Sequence, residues 1–510
     1  MSGQDIYEII KSNVTEDGRL PHDFSLDEPK APNQISFAPG MIDGGGVFGH
    51  YSPDNAEKEA TQIVKLMKQY LRKNKRSYLD EMEEIITKTG ALSVVDPIHN
   101  GIMKSRDDMD LQKLIELGFD LAKTSHDVNL VKLGISLLGL FELGENENVL
   151  DVVKTLALYD ELTLYSAVAA SRWSNGNDVV FWIAKRVDGW GKIQAVERLQ
   201  PETDEIREWI LRDGCSNGIM DAYLGLTCAE KGGLIAALRK KTMDDELFES
   251  VSVIIDALLD EGPVDGISKY DHAEEALMLY MRHAKEKAVN LRHFWYILNI
   301  RLFMEDSELP NMDDILAQCE EIMNNPDWIV KIKDAIEQRR DDKDFFYACN
   351  SASRMDIDIG SLLLSAVKEN PIEYCSYAQK LFSDQSIAAE IIDLYESVLP
   401  LGEMASGMGD YFFSDILRKE HGCLDFILPA LAEYPLQGIK LIKSGLGSPV
   451  TRERNMACKA LSGWVKAQGK PLEDISPELF VEIMRIYEIE INEQTKETMK
   501  RLLEGEFEES

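Results

Sequence analysis

The glycine-rich stretch from Phe37 to Asn55, FAPGMIDGGGVFGHYSPDN, contains the residue types that could hold a ligand. Gly44, Gly46 and Gly49 satisfy the G-x-G-x-x-G spacing, and backbone amides in such a loop can bind a phosphate group. Neighbouring polar side chains could add a hydrogen bond: Asp43, His50 and Tyr51. We therefore take Gly44, Gly46, Gly49 and His50 as candidate cofactor-binding residues.

The surroundings of these glycines favour a structural role over a nucleotide site. A dinucleotide site needs a buried strand before the loop and a helix that begins inside it. Here Pro39 interrupts the short apolar run before the glycines, and Pro53 delays the next helix. A P-loop also needs Lys followed by Ser or Thr where Gly46 and Val47 stand. The pattern favours glycines that supply positive φ angles in a compact N-terminal cap over the first helices, with ligand contact as the alternative.

The histidines and cysteines do not have the spacing of a reaction centre. No histidine follows a Glu by three residues, and the densest group, His272, His283 and His293, is too widely spaced for one helical turn. We predict surface or helix-capping histidines and no metal site. Cys423 and His421 lie two residues apart and diverge on a helix, so Cys423 is predicted to be a small buried side chain. A core position is predicted for five tryptophans: Trp173, Trp182, Trp190, Trp209 and Trp295.

Composition limits the partners and the compartment. Lys and Arg number 55 against 90 Asp and Glu, which gives a formal charge of −35. Such a chain repels phosphate backbones and anionic membranes and favours basic partners. Seven cysteines without a CxxC pair are typical of a reducing compartment. The chain shows no signal-peptide pattern and no apolar run of about 20 residues, so a cytoplasmic location is predicted.

Apolar periodicity predicts an all-α fold. After a Pro- and Gly-rich region with one short helix near residues 5–11, a helical pattern begins at Asp54, a candidate N-cap. Four helix–turn–helix segments then begin near Glu145, Gly176, Glu202 and Gly233, and their spacing of roughly 26 to 31 residues is typical of a solenoid. The best strand candidate is LSVVDPI, residues 92–98.

Two of these helical segments resemble the second helix of a HEAT-like repeat: WGKIQAVERL, residues 190–199, and SPVTRERNMACKALSGW, residues 448–464. In each, a basic residue precedes a stripe of small residues and Leu. The resemblance implies an α-solenoid of HEAT-like helix pairs with an irregular Gly/Pro-rich N-terminal cap. We predict a cap over 1–53, a helical array over 54–262, a helical segment over 263–400, and C-terminal helical repeats with an acidic tail over 401–510.

A second resemblance involves the whole chain. The acidic start DIYEIIKSNVTEDGRLPHDFSL, the segment FAPGMIDGGGVFGHY and the helical array are together similar to a bacterial family labelled limonene hydroxylase. This resemblance implies oxidation of limonene to perillyl alcohol and perillyl aldehyde with NADPH. Such chemistry requires a haem, a flavin or a metal, and no motif for any of them is evident in the sequence.

Two functions follow as expectations. The first is a cytoplasmic helical-repeat scaffold that binds a protein or peptide partner, preferably a basic one. The alternative is a monooxygenase that acts on a small apolar terpene. Nucleic acid and membrane are not expected as partners.

Overall fold

The protein is all-α, as the sequence predicts. The computed structural model describes residues 4–26, 37–50, 56–306, 311–411 and 419–505. Within these ranges extended pairing is limited to one isolated bridge, between Tyr411 and Val450. In the same ranges, every helix is too short or too polar to cross a bilayer.

The described chain forms two compact units, which divide between Asn325 and Pro326. The predicted boundaries near residues 53, 262 and 400 stay predictions. The N-terminal unit contains α1 Ile6–Ser12, α2 Met41–Val47, α3 Glu57–Lys73, α4 Arg76–Thr89, α5 Ala91–Lys104, α6 Leu111–Thr124, α7 Val128–Leu138, α8 Glu147–Ala157, α9 Asp160–Ala170, α10 Gly176–Ala184, α11 Gly189–Arg198, α12 Asp204–Asp213, α13 Ala222–Gly232, α14 Leu234–Leu238, α15 Asp245–Leu259, α16 Ala273–Lys287, α17 Leu291–Glu305 and α18 Met312–Met323.

The C-terminal unit is also helical. It contains α19 Asp327–Gln338, α20 Asp342–Arg354, α21 Gly360–Glu369, α22 Cys375–Leu381, α23 Gln385–Val398, α24 Leu401–Met404, α25 Lys419–Ala430, α26 Ile439–Leu446, α27 Thr451–Gln468, α28 Leu472–Ile475, α29 Pro477–Ile489 and α30 Glu493–Glu504.

Local sequence signals explain where many helices begin. The Asp244 carboxylate accepts a hydrogen bond from the Leu247 amide at 2.7 Å and caps α15. The Asp127 carboxylate caps α7 in the same way, and the Thr203 hydroxyl accepts a hydrogen bond from the Ile206 amide and caps α12. Asp54, the predicted cap of α3, lies outside the described residues, and the residue before α3 is Ala56. Short polar side chains at these starts satisfy amides that the helix leaves unpaired.

Two helices occupy each of the four predicted segments: α8 and α9, α10 and α11, α12 and α13, and α14 and α15. The first three are packed pairs, whereas the short α14 packs mainly against α13 and α16. The second helix of each segment also contacts the second helix of the next, so that α9 meets α11, α11 meets α13, and α13 meets α15. The buried apolar side chains of the N-terminal unit form one continuous cluster from Ile6 to Cys319. Each pair therefore buries part of its apolar surface against its neighbour.

The strand candidate at residues 92–98 is wrong, because this segment lies inside α5. Ala91, Val94, Ile98 and Ile102 are buried at three- and four-residue steps. This helical stripe outweighs the hydrogen bond lost at Pro97, which has no amide proton to donate.

Candidate functional site

The glycine-rich segment is a short helix, α2, in place of the irregular loop that the sequence predicts. This helix packs against α9 and α11. Gly44 faces the indole of Trp190, and a Cβ atom at this position would overlap the ring. Gly40 has a φ of +76°, and its amide donates to the Glu161 carboxylate at 2.6 Å. At Gly40 and Gly44 the missing side chain thus permits the positive φ and the close approach.

A buried ionic network attaches α2 to α7 and α9. The Asp43 carboxylate lies 2.7 Å from the Lys132 ammonium of α7 and accepts a hydrogen bond from the Tyr165 hydroxyl of α9 at 2.9 Å. Lys132 also pairs with Glu161. Burial lowers the pKa of Lys132 and the two carboxylates raise it, with a net upward shift. Asp43, considered as a ligand contact, therefore has its hydrogen-bonding partners inside the protein.

Gly46 lies in the last turn of α2, and Gly49 and His50 follow the helix. The Gly44 amide donates to the Gly40 carbonyl at 2.8 Å, the Gly49 amide to Gly46 at 3.1 Å, and the His50 amide to Gly45 at 3.0 Å. These three amides already have partners. The His50 ring nitrogen Nε2 lies 2.8 Å from the hydroxyl of Tyr223. Cofactor binding by Gly44, Gly46, Gly49 and His50 stays a prediction, and Tyr51 lies outside the described residues.

Asp160 begins α9, and its half-buried carboxylate lies against the first turn of α11. The backbone amides of Gly191 and Trp190 donate to it, as expected for an anion at a helix N-terminus. Burial nevertheless raises the pKa of Asp160 to about 7, and the nearby Asp188 adds to this rise. The protein therefore holds a titratable carboxyl group beneath the glycine-rich helix.

The prediction of surface or capping positions holds for four histidines, His22, His50, His126 and His272, which are exposed, and is wrong for the other four. These four are buried: His99, His283, His293 and His421. His421 pairs with Glu453 at 2.9 Å and does not contact Cys423 as a catalytic partner would. Cys423 is fully buried, as predicted, and the seven cysteines are free and buried. Among the described residues no group of three or more His, Cys, Asp or Glu side chains could hold a metal ion.

The tryptophans are only partly in the core. Trp173 and Trp190 are buried, as predicted. Three others are half-buried: Trp182, Trp209 and Trp295.

Two cavities of opposite charge lie elsewhere in the N-terminal unit. One, of about 480 Å³, has Lys192 and Arg212 in its wall. The other, of about 320 Å³, is lined by Asp221, Asp256 and Asp260. Sequence reasoning missed both, because each wall combines residues from helices that are distant in sequence. The residues gave no local motif that could have identified them.

Comparison with known proteins identifies no family for this chain. No protein-family model matches it, and no curated protein is significantly similar to it. These comparisons support neither the HEAT-like resemblance nor the resemblance to limonene hydroxylase.

Proposed function

We propose that this protein is an α-solenoid scaffold that binds a basic protein or peptide. The succession of contacts from α9 through α11 and α13 to α15 supports a repeat architecture, since each helix pair stacks on the next. Such stacks expose long surfaces that bind extended partners. Because a fold does not fix a function, the choice of partner rests on the acidic cavity.

The acidic cavity supports a basic partner through its electrostatics. Asp256 and Asp260 stand one turn apart at the end of α15, and the last turn of this helix has no basic residue. Carboxylates at a helix C-terminus are unfavourable because the helix dipole is negative there, and like charges four residues apart repel each other. A bound cation would relieve both costs. The Asn299 side-chain amide donates a hydrogen bond to Asp256 at 2.5 Å.

Exposed apolar side chains stand beside these carboxylates. Ile219 and Met220 line the same cavity and are 44% and 42% exposed. Lys and Arg have long apolar stems below a charged end, so one side chain of this kind could contact the apolar rim and the aspartates together. The pairing of carboxylates with exposed apolar residues in one cavity is the observation that carries the proposal.

A direct titration tests this proposal. We expect a Lys- and Arg-rich peptide to bind the full chain, and binding to weaken as salt is raised, because salt screens exposed charges. A peptide in which Glu replaces the basic residues should not bind. Binding can be measured by fluorescence anisotropy of the labelled peptides.

Charge reversal locates the binding surface. Asp260→Lys should weaken binding at least about tenfold, which corresponds to about 1.4 kcal/mol. The control Glu84→Lys makes the same change of charge at an exposed position in α4. Equal weakening by both variants would indicate a response to net charge alone, and the acidic cavity would be rejected as the binding surface.

The oxidation of limonene stays a prediction that the second resemblance implies. If this alternative holds, the purified protein should show a flavin or haem absorption band, stoichiometric iron, or limonene-dependent consumption of NADPH. Finding one of these would favour the enzyme over the scaffold.

A further inference from the structure

We infer that the cavity lined by α10, α11, α12, α15 and α17 is a binding site for a small phosphate-bearing molecule. Its volume of about 480 Å³ falls within the range of small-ligand pockets. Its wall carries two carboxylates, Asp213 and Glu249. Against these stand five cationic side chains: Arg19, Lys185, Lys192, Arg212 and Arg292.

This charge balance is the reverse of that in the whole chain. The sequence carries 90 acidic and 55 basic residues, so a random patch of surface would be acidic. Cations gathered around one cavity repel each other unless counter-charges or a ligand compensate them. The local excess of positive charge therefore indicates an anionic ligand.

Lys192 is the central observation. Its residue is only 9% exposed, and it lines the cavity. Within the described part of the chain its ammonium has no hydrogen bond and no ion pair. It lies over the ring of Trp209, 5.9 Å from the centroid. Burial lowers the pKa of Lys192, and the Asp188 and Asp213 carboxylates, which lie nearby without forming an ion pair with it, only partly oppose this shift. A buried ammonium without a carboxylate partner is costly, and an anion in the cavity would supply that partner.

Lys185 supplies a second ammonium without a carboxylate partner. Its Nζ atom lies 4.0 Å from the centroid of the Phe181 ring, and no described carboxylate is within ion-pair distance. Two such ammonium groups match a phosphate group, which concentrates about two negative charges on its oxygens. A single carboxylate would compensate only one of them.

The arginines are held in place by other residues. Arg212 makes a bidentate pair with Asp244, with distances of 3.1 and 2.9 Å. Arg292 lies 3.2 Å from Glu249, and Arg19 lies 3.2 Å from Asp188. Their charges are partly compensated, yet their positions are fixed before a ligand arrives. A preorganised wall of this kind lowers the entropy cost of binding.

Inorganic pyrophosphate is a suitable probe for the full chain. We expect it to bind and to raise the melting temperature more than sodium chloride of equal ionic strength, since a specific ligand stabilises the folded state. Lys192→Met should weaken binding at least about tenfold. Lys192→Arg, which keeps the charge, should retain most of the affinity. Binding can be measured by isothermal titration calorimetry.

A second readout separates a ligand contact from a structural role. Without ligand, Lys192→Met should melt at the same or a higher temperature than the wild type, because it removes an uncompensated buried charge. The matched control is Lys231→Met, since the Lys231 ammonium donates to the Glu197 carbonyl at 2.7 Å. This control should be less stable and bind pyrophosphate normally.

Five outcomes would overturn the inference. Four are no response to millimolar pyrophosphate beyond that of salt, equal binding by wild type and Lys192→Met, equal or tighter binding of citrate, and a destabilised or unfolded Lys192→Met. The fifth is unchanged affinity in Lys185→Met, which repeats the binding test at a half-buried position.

Discussion

Two buried cations of this protein, Arg454 and Lys192, have very different surroundings. Arg454 in α27 is fully buried, and its guanidinium donates to the Glu490 carboxylate at 2.7 and 2.8 Å. It also donates to the carbonyls of Gly409 and Ser448 at 2.9 Å. Lys192 has no such partners. Arg454, whose charge is paired inside the protein, stabilises the fold, whereas Lys192 keeps an unpaired charge that an anionic ligand could compensate.

Lys132 lies between these two cases. It has two carboxylate partners, Asp43 and Glu161, and it joins α7 to α2 and α9. Its position explains how a helix with three glycines remains attached to the N-terminal unit, since glycine weakens a helix by about 1 kcal/mol per residue. Of the three cations, Lys192 alone therefore lacks a structural explanation.

The largest expected effect is the removal of the Arg454 charge. Arg454→Met leaves the Glu490 carboxylate buried without its partner and should lower the free energy of unfolding by about 3–5 kcal/mol. The control is Arg452→Met, since Arg452 is 56% exposed and lies 3.5 Å from Asp425. This control should cost less than about 1 kcal/mol. Urea denaturation followed by circular dichroism measures both, and equal losses would contradict the contrast.

Asp160 extends the comparison to a half-buried carboxylate. Its pKa rises from 3.8 to about 7, so the folded state binds the proton more tightly than the unfolded chain. The free energy of unfolding should therefore fall as pH rises from about 4 to about 7, and the full loss should remain above pH 7. Asp160→Asn should remove this component and raise stability at pH 8 by roughly 2–4 kcal/mol. A pH series of urea titrations that is identical for both proteins would contradict it.

The smallest expected effect separates packing from intrinsic helix preference. Gly44→Ala forces a methyl group into Trp190 and should lower stability by about 1–3 kcal/mol. At Gly422 in α25 no atom lies within 4 Å of an added Cβ. Gly422→Ala should therefore be neutral or stabilise by up to about 1 kcal/mol. Thermal denaturation measures both changes, and a neutral Gly44→Ala would exclude close packing against Trp190.

Local sequence signals predicted the helices, because a helix depends mainly on contacts between residues three and four apart. The helices of the four segments from Glu145 onward and the apolar stripe of α3 were readable in this way. The prediction was wrong at α5 and α2, which contain proline and glycine. There, burial against other helices outweighed the local free-energy cost of these residues in a helix. Buried histidines such as His421 were missed because their partners lie far away in sequence.

The order of residues alone specified the all-α class, many helix starts and the acidic net charge. Only the tertiary structure decided what surrounds each buried charge. Asp43 pairs with Lys132, Arg454 pairs with Glu490, and Lys192 lines a cavity. The physical reason is the distance along the chain over which each interaction acts. Helix periodicity acts within one or two turns, whereas the compensation of a buried charge depends on which distant helices surround it.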